Sequence, residues 1–194
     1  MKWSELSYSY EDFYIPYDEN QRAVRGFLLT TLGVDLEHLP RILFQPYLLF
    51  NRTEFSEEYA QKVYVSDIIG TSYSDYGGIS IIESFIRIKR ACHYIQDGCV
   101  TRGKYFHMLK KPVNDQPVPI RLSRLDDGRY YVDGNGNHRV VLYKIMMLAE
   151  IASTYEWARS DDYDLNYIGF EDITKKYWLN ALVKKVPKTG REYE

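Results

Sequence analysis

Between Asn20 and Leu32 the apolar residues Val24, Leu28 and Leu32 recur at a spacing of four, which predicts a helix stopped by Gly33. Pro16, Pro40 and Pro46 break up the rest of this region, and Ser56-Glu57-Glu58-Tyr59 reads as the start of another short turn or helix. Residues 1–62 are therefore expected to form a helical N-terminal elaboration. At Val63 the pattern changes: Val63 to Ile69 has the β-branched character of a strand, and a polar loop follows from Gly70 to Gly78. The clearest helix comes next. Ser80 and Glu83 form a capping box, Ile81, Phe85, Ile88, Cys92 and Ile95 fall on one apolar face, and Asp97-Gly98 ends the run.

Residues Cys99 to Gln116 are basic and irregular and predict a loop or short insertion. Val118, Ile120 and Leu122 then alternate with Pro119, Arg121 and Ser123, as in a half-buried strand; Asp126-Asp127-Gly128 supplies a hairpin turn, and Arg129 to Val132 returns as its partner. From His138 to about Ala152 the chain is apolar nearly all round a helix, which places that helix at the centre of the fold. An acidic, tyrosine-rich stretch containing Asp161-Asp162 follows. Ile173 to Val186 reads as a last helix, or as a helix and a strand, and the charged tail from Pro187 as frayed. The core is thus expected over 63–152, with 153–194 as an extension packing on it.

Where the hairpin meets the buried helix, the run Tyr130-Tyr131-Val132-Asp133-Gly134-Asn135-Gly136-Asn137-His138-Arg139-Val140 has the layout of an anion site. A helix N-terminus leaves backbone N–H groups without intrahelical partners and carries partial positive charge, so a glycine-rich turn lets a phosphate approach closely. His138 and Arg139 add side-chain donors. Arg139 can grip phosphate oxygens with its planar fork, and Asp133 can hold Mg²⁺ or accept a proton. A plainer reading of the same residues is a turn capping a buried helix, with Asn137 as N-cap and Arg139 paired to a carboxylate.

Composition narrows the class. A chain of 194 residues with 45% hydrophobic content is long enough for one substantial globular core. No apolar run reaches the roughly 20 residues needed to span a bilayer, and Met1-Lys2-Trp3-Ser4-Glu5 has no apolar leader core, so the expected location is cytoplasmic with no membrane partner. Cys92 and Cys99 are too far apart for a C-x-x-C pattern and the four histidines are scattered, which argues against structural zinc. The net charge of −2 hides an asymmetry: from Arg87 to Lys144 there are 12 Lys/Arg against 5 Asp/Glu. Such a surplus around the turn can draw in a nucleotide or a nucleic-acid backbone, or can be a solvated mixed surface.

The order strand, helix, basic insertion, β-hairpin, Asp133–Arg139 box and buried helix resembles the ParB/sulfiredoxin superfamily, whose members carry a G-x-x-R or D-G-N-H-R type box between a strand and a helix. The resemblance covers roughly Val63 to Ala152, and its specific part is Val118 to Leu148. It implies an α+β fold with a ParB/sulfiredoxin-like core, a small mixed sheet with buried helices. It also implies that the box binds nucleotide phosphates: ParB proteins bind and hydrolyse CTP, sulfiredoxins use ATP, a related kinase phosphorylates free serine, and other members are described as nucleases or DNA-binding proteins. Carried over, Gly134, Asn135, Gly136 and Asn137 would present the turn to phosphate, and His138 and Arg139 would contact it with side chains. Two features depart from the pattern. Asn137 stands where sulfiredoxins have a nucleophilic cysteine, which removes sulfinic acid reduction by that route. His138 precedes Arg139 where ParB boxes usually have a second arginine, and no helix-turn-helix pattern follows.

The expectation is a nucleotide-binding phosphotransferase or NTPase that uses Mg²⁺ with ATP or CTP. Asp133, Glu83 and His138 are its candidate catalytic groups and Asp133 its candidate metal ligand, with Glu83 or Asp67 orienting the acceptor. Glu83 comes from the first core helix, as the resemblance implies, although its capping-box position accounts for it without chemistry. Asp67 and Asp75 flank the first loop as further candidate contacts, and Tyr73, Tyr76, Gly77 and Gly78 as a flexible lip. The alternative is a nucleic-acid-binding or nuclease module, or a non-catalytic interaction protein, using the basic surface within 87–144.

Overall fold

The computed structural model describes residues 22–23, 25–26, 29, 43–46, 57–88, 104–155 and 168–186. Seven strands form one mixed sheet: β1 (Leu43–Pro46), β2 (Tyr59–Tyr64), β3 (Ile68–Thr71), β4 (Ile79–Ser80), β5 (Ile120–Arg124), β6 (Tyr130–Val132) and β7 (Trp178–Lys185), in the order β2-β7-β5-β6-β3-β1-β4. The helices whose bounds lie among the described residues are α1 (Ile81–Arg87), α2 (Lys104–Leu109), α3 (Asn137–Thr154) and α4 (Glu171–Thr174). The protein is a mixed α/β domain with few helices.

The hairpin and the central helix form where the sequence predicts them. Leu122 pairs with Val132 and Arg124 with Tyr130 in an antiparallel ladder, and α3 is buried almost all round, with Val140, Leu142, Ile145, Leu148 and Ile151 inaccessible to solvent. Ser80 caps α1: its Oγ accepts the Glu83 N–H at 3.1 Å. That helix ends at Arg87, where Ile88 turns extended. Its expected continuation through Cys92 and Ile95 lies outside the described residues, as does Cys99.

Several expectations change. Arg22, Ala23, Arg25 and Gly26 are helical, and the rest of 20–32 lies outside the described residues except Leu29. The segment expected to be a helical elaboration nevertheless supplies β1 and most of β2, so the sheet begins well before residue 63. Tyr59 opens a strand rather than a helix, because all six residues to Tyr64 pair with β7. The insertion expected as a loop contains α2 and the 3-10 turn Val113–Asp115. Ile173 to Val186 is the end of α4 followed by β7, the helix-and-strand alternative, but β7 is an inner strand between β2 and β5 rather than an appendage on the core.

The expected single strand from Val63 to Ile69 is two strands joined by the 3-10 turn Val65–Asp67. Three strands lie between β2 and β3 in the sheet. In a flat sheet four strand spacings would separate them by about 19 Å, whereas the chain from Tyr64 to Ile68 reaches at most about 14 Å. The sheet must therefore curl. A register shift between Ile68 and Gly70 opposite β6 adds to the twist, and a bond from Gln61 Nε2 to the Tyr130 hydroxyl, 2.9 Å, closes β2 toward β6.

Candidate functional site

Strand β5 holds the box by continuing its pairing past the end of β6. The Asp133 N–H donates to the Arg121 carbonyl at 2.9 Å, and the Arg121 N–H donates to the Asn135 carbonyl at 3.1 Å. Gly134 and Gly136 reverse the chain at φ 98° and 129°, a region that disfavours side chains. At Gly136 a Cβ would also stand 2.9 Å from Ile120 Cγ2, so the backbone lies directly on β5. The Gly136 carbonyl accepts the first helical bond, from the Val140 N–H at 2.9 Å, which makes Gly136 the N-cap with no side-chain cap bond. Asn137, read in the plainer alternative as N-cap, is instead the first helical residue. It is buried, and its Oδ1 accepts from Thr71 Oγ1 at 2.5 Å, tying the end of β3 to the start of α3.

A cavity of about 410 Å³ opens onto this turn. Residues Gly134 to Arg139 form its floor; Tyr73, Asp75 and Tyr76 form one wall; Met108, Leu109 and Gln116 to Val118 form the other. The two basic side chains of the box each reach a wall. His138 Nε2 lies 2.7 Å from the Tyr76 hydroxyl, with the rings edge to face at 5.5 Å. Arg139 Nη1 donates to the Val118 carbonyl at 2.5 Å. The start of a buried 18-residue helix thus faces a concave site whose floor is glycine-rich and whose walls are largely apolar. Such a floor and walls are chemically compatible with an anion that carries an apolar or aromatic body.

The other candidate residues fall in different places. Asp133 does not line the cavity: its carboxylate accepts from Ser123 Oγ at 2.8 Å, lies 3.4 Å from Ser72 Oγ and pairs with Lys184. A Mg²⁺ site does not fit there, since an ammonium already neutralises the carboxylate, and among the described residues no three His, Cys, Asp or Glu side chains converge as a metal site. Asp75 is the acidic side chain on the cavity wall. Glu83 lies on α1, with its carboxylate 3.2 Å from Arg87 Nε, and is not on the cavity wall either. Asp67, expected to orient an acceptor, lies in the 3-10 turn against α3. Burial raises its pKa above 3.8, opposed by the Ser66 hydroxyl and the Lys144 charge. Gly77 and Gly78 lie against β1: the Gly78 N–H donates to the Phe44 carbonyl at 2.7 Å, and Gly77 packs on Pro46.

Among the described residues, five of the basic side chains between Arg87 and Lys144 lie apart from one another or are paired. Lys144 is buried at 2% exposure, Arg87 and Arg129 pair with Glu83 and Asp127, Arg121 lies 3.8 Å from Glu58, and Arg139 is in the cavity. No helix among the described residues is long and apolar enough to cross a membrane.

Gln116 is the residue that sequence reasoning missed. Its Nε2 is aimed at three carbonyls, those of Leu109, Lys111 and Asn180, at 3.3, 2.9 and 3.0 Å, which fixes the cavity's second wall to β7. Its Oε1 is buried with no hydrogen-bond partner in the structure. A lone glutamine between a turn and Pro117 carries no periodic or spacing signal that could have singled it out. No family model, curated protein or solved structure matches the chain.

Proposed function

We propose that the chain binds the phosphates of a nucleotide, ATP or CTP, at the α3 N-terminus, on a ParB/sulfiredoxin-like core, and acts as a phosphotransferase or NTPase. The observation that carries this reading is the cavity whose floor is the Gly134–Arg139 turn. Backbone N–H groups and the positive end of α3 favour phosphate. His138 and Arg139 add imidazole and guanidinium donors on the same floor, and Tyr73, Tyr76, Met108 and Val118 offer apolar surface for a base and sugar. Phosphoryl transfer depends mostly on positioning and charge stabilisation, so such a site suffices without a covalent nucleophile. Asp133 positions Lys184 and the box rather than a metal, and Asp75 is the carboxylate placed to meet the bound ligand.

Titrating ATP, CTP and GTP, with and without Mg²⁺, against wild type and Arg139→Gln tests this by calorimetry and thermal shift. Nucleotide at about 100 times its Kd is expected to stabilise the fold by about 2.7 kcal/mol, a rise of several degrees in melting temperature. Arg139→Gln is expected to weaken binding by roughly ten-fold or more, since a hydrogen bond to a charged group contributes about 1.5–3 kcal/mol. Absence of any shift at millimolar nucleotide overturns the reading.

A further inference from the structure

We propose that the sheet face opposite the core, around Trp178, is a binding surface for single-stranded nucleic acid. Alternation along β2 and β7 sends Val63 and Leu179 into the core and turns their neighbours outward. Tyr64 and Trp178 stand directly opposite each other on that outward face, and Lys62 opposite Asn180. The Lys62 ammonium lies 5.1 Å from the centre of the Tyr64 ring and 4.7 Å from that of Trp178, and the Lys110 ammonium 5.1 Å from Trp178. Asn180 Nδ2 donates to the Lys110 and Lys111 carbonyls at 2.8 and 3.1 Å, so both lysines are fixed beside the same strand.

Charge decides the class of partner and the rings decide its kind. Elsewhere the lysines of this region carry counter-ions: Lys175 pairs with Glu171, Lys176 with Glu150 and Lys184 with Asp133. Among the described residues Lys62, Lys110 and Lys111 have no carboxylate partner; Lys110 donates only to the Lys176 carbonyl, at 3.1 Å. Two uncompensated ammonium groups at the aromatic rings, with a third on the adjoining Lys111, suit a polyanion that carries its own π faces. Bases would stack on Trp178 and Tyr64 while the lysines turn from ring to phosphate. A duplex buries its base faces and would leave the rings unused. The surface is separate from the cavity, and its standing does not depend on nucleotide binding there.

The test is fluorescence anisotropy at low salt with labelled oligothymidylate and oligouridylate of about twelve nucleotides, against a duplex of equal length and heparin. Wild type should bind the single strands more tightly than either comparator, and the tighter of the two oligonucleotides names DNA or RNA. Trp178→Leu is expected to lose roughly ten-fold in affinity. The triple variant Lys62→Gln, Lys110→Gln, Lys111→Gln should shallow the slope of log affinity against log salt by about 2. Since Lys62 and Lys111 are exposed and Lys110 half-buried, none of them in the core, it keeps the test valid if Trp178→Leu fails to fold by circular dichroism. Arg139→Gln should leave oligonucleotide affinity unchanged, which separates this surface from the cavity. The proposal is overturned if no single strand binds, if duplex or heparin binds as well as single strands, or if the triple variant keeps the wild-type salt slope.

Discussion

Gly134 and Gly136 look equivalent in the sequence, yet the structure asks different things of them. Both need positive φ, but only Gly136 lies against Ile120. Gly134→Ala is expected to cost about 1 kcal/mol of strain, while Gly136→Ala adds overpacking and should cost about 3 kcal/mol in total. Urea denaturation of the two variants measures the difference, and equal costs would mean that the close approach to β5 is unimportant. The glycine-rich turn and its two basic neighbours were legible because their chemistry is local. Asp133 was misleading for the same reason: its partners Ser123 and Lys184 are brought to it by strands β5 and β7, which no reading of residues 130–140 can supply. Gln116 was invisible because its meaning lies in the Asn180 carbonyl far along the chain.

Among the elements, those written as a periodic run with a local stop were readable: the hairpin, α3 and the start of α1. The α1 cap makes a direct check. Ser80→Ala removes the oxygen that accepts the Glu83 N–H and should destabilise by about 1 kcal/mol, measured as a lowered denaturation midpoint with an unchanged slope; no change would mean that the cap is replaced by water without cost. Strand β1 and most of β2 were not readable, and β7 was legible only as one of two alternatives, because a four- to eight-residue strand is defined by its partner. Leu43–Pro46 becomes a strand by lying between β3 and β4, with a parallel neighbour on one side and an antiparallel one on the other. The run from Val63 to Ile69 looked like one strand because of its β-branched residues, and the 3-10 turn at Val65–Asp67 that divides it goes with the curl of the sheet.

For the molecule as a whole, the most consequential charge is inside it. Lys144 on α3 is 2% exposed, and burial lowers its pKa from 10.5 to about 7, partly opposed by the charge of Asp67. Between pH 7 and 10.5 the unfolded chain binds more protons at this site than the folded one, so stability from this group rises with pH across that window and its penalty is full below about 7. Lys144→Met keeps the buried methylenes and removes the charge. It should raise the melting temperature at neutral pH by a few degrees, with the gain over wild type shrinking as pH approaches 10. A constant difference between the two melting curves across that range would show that burial leaves the pKa of Lys144 unshifted.

The inner position of β7 also has a consequence for how the protein is made. Tyr64 pairs with Trp178 and Tyr59 with Val183, so the strand emerging early from a ribosome has no ladder until one of the last described segments follows it. Until then β2 and β5 present unpaired edges and the apolar surfaces of Val63 and Ile120. Synthesis halted before residue 178 should therefore yield a chain that chaperones retain and proteases cut, rather than a smaller stable domain.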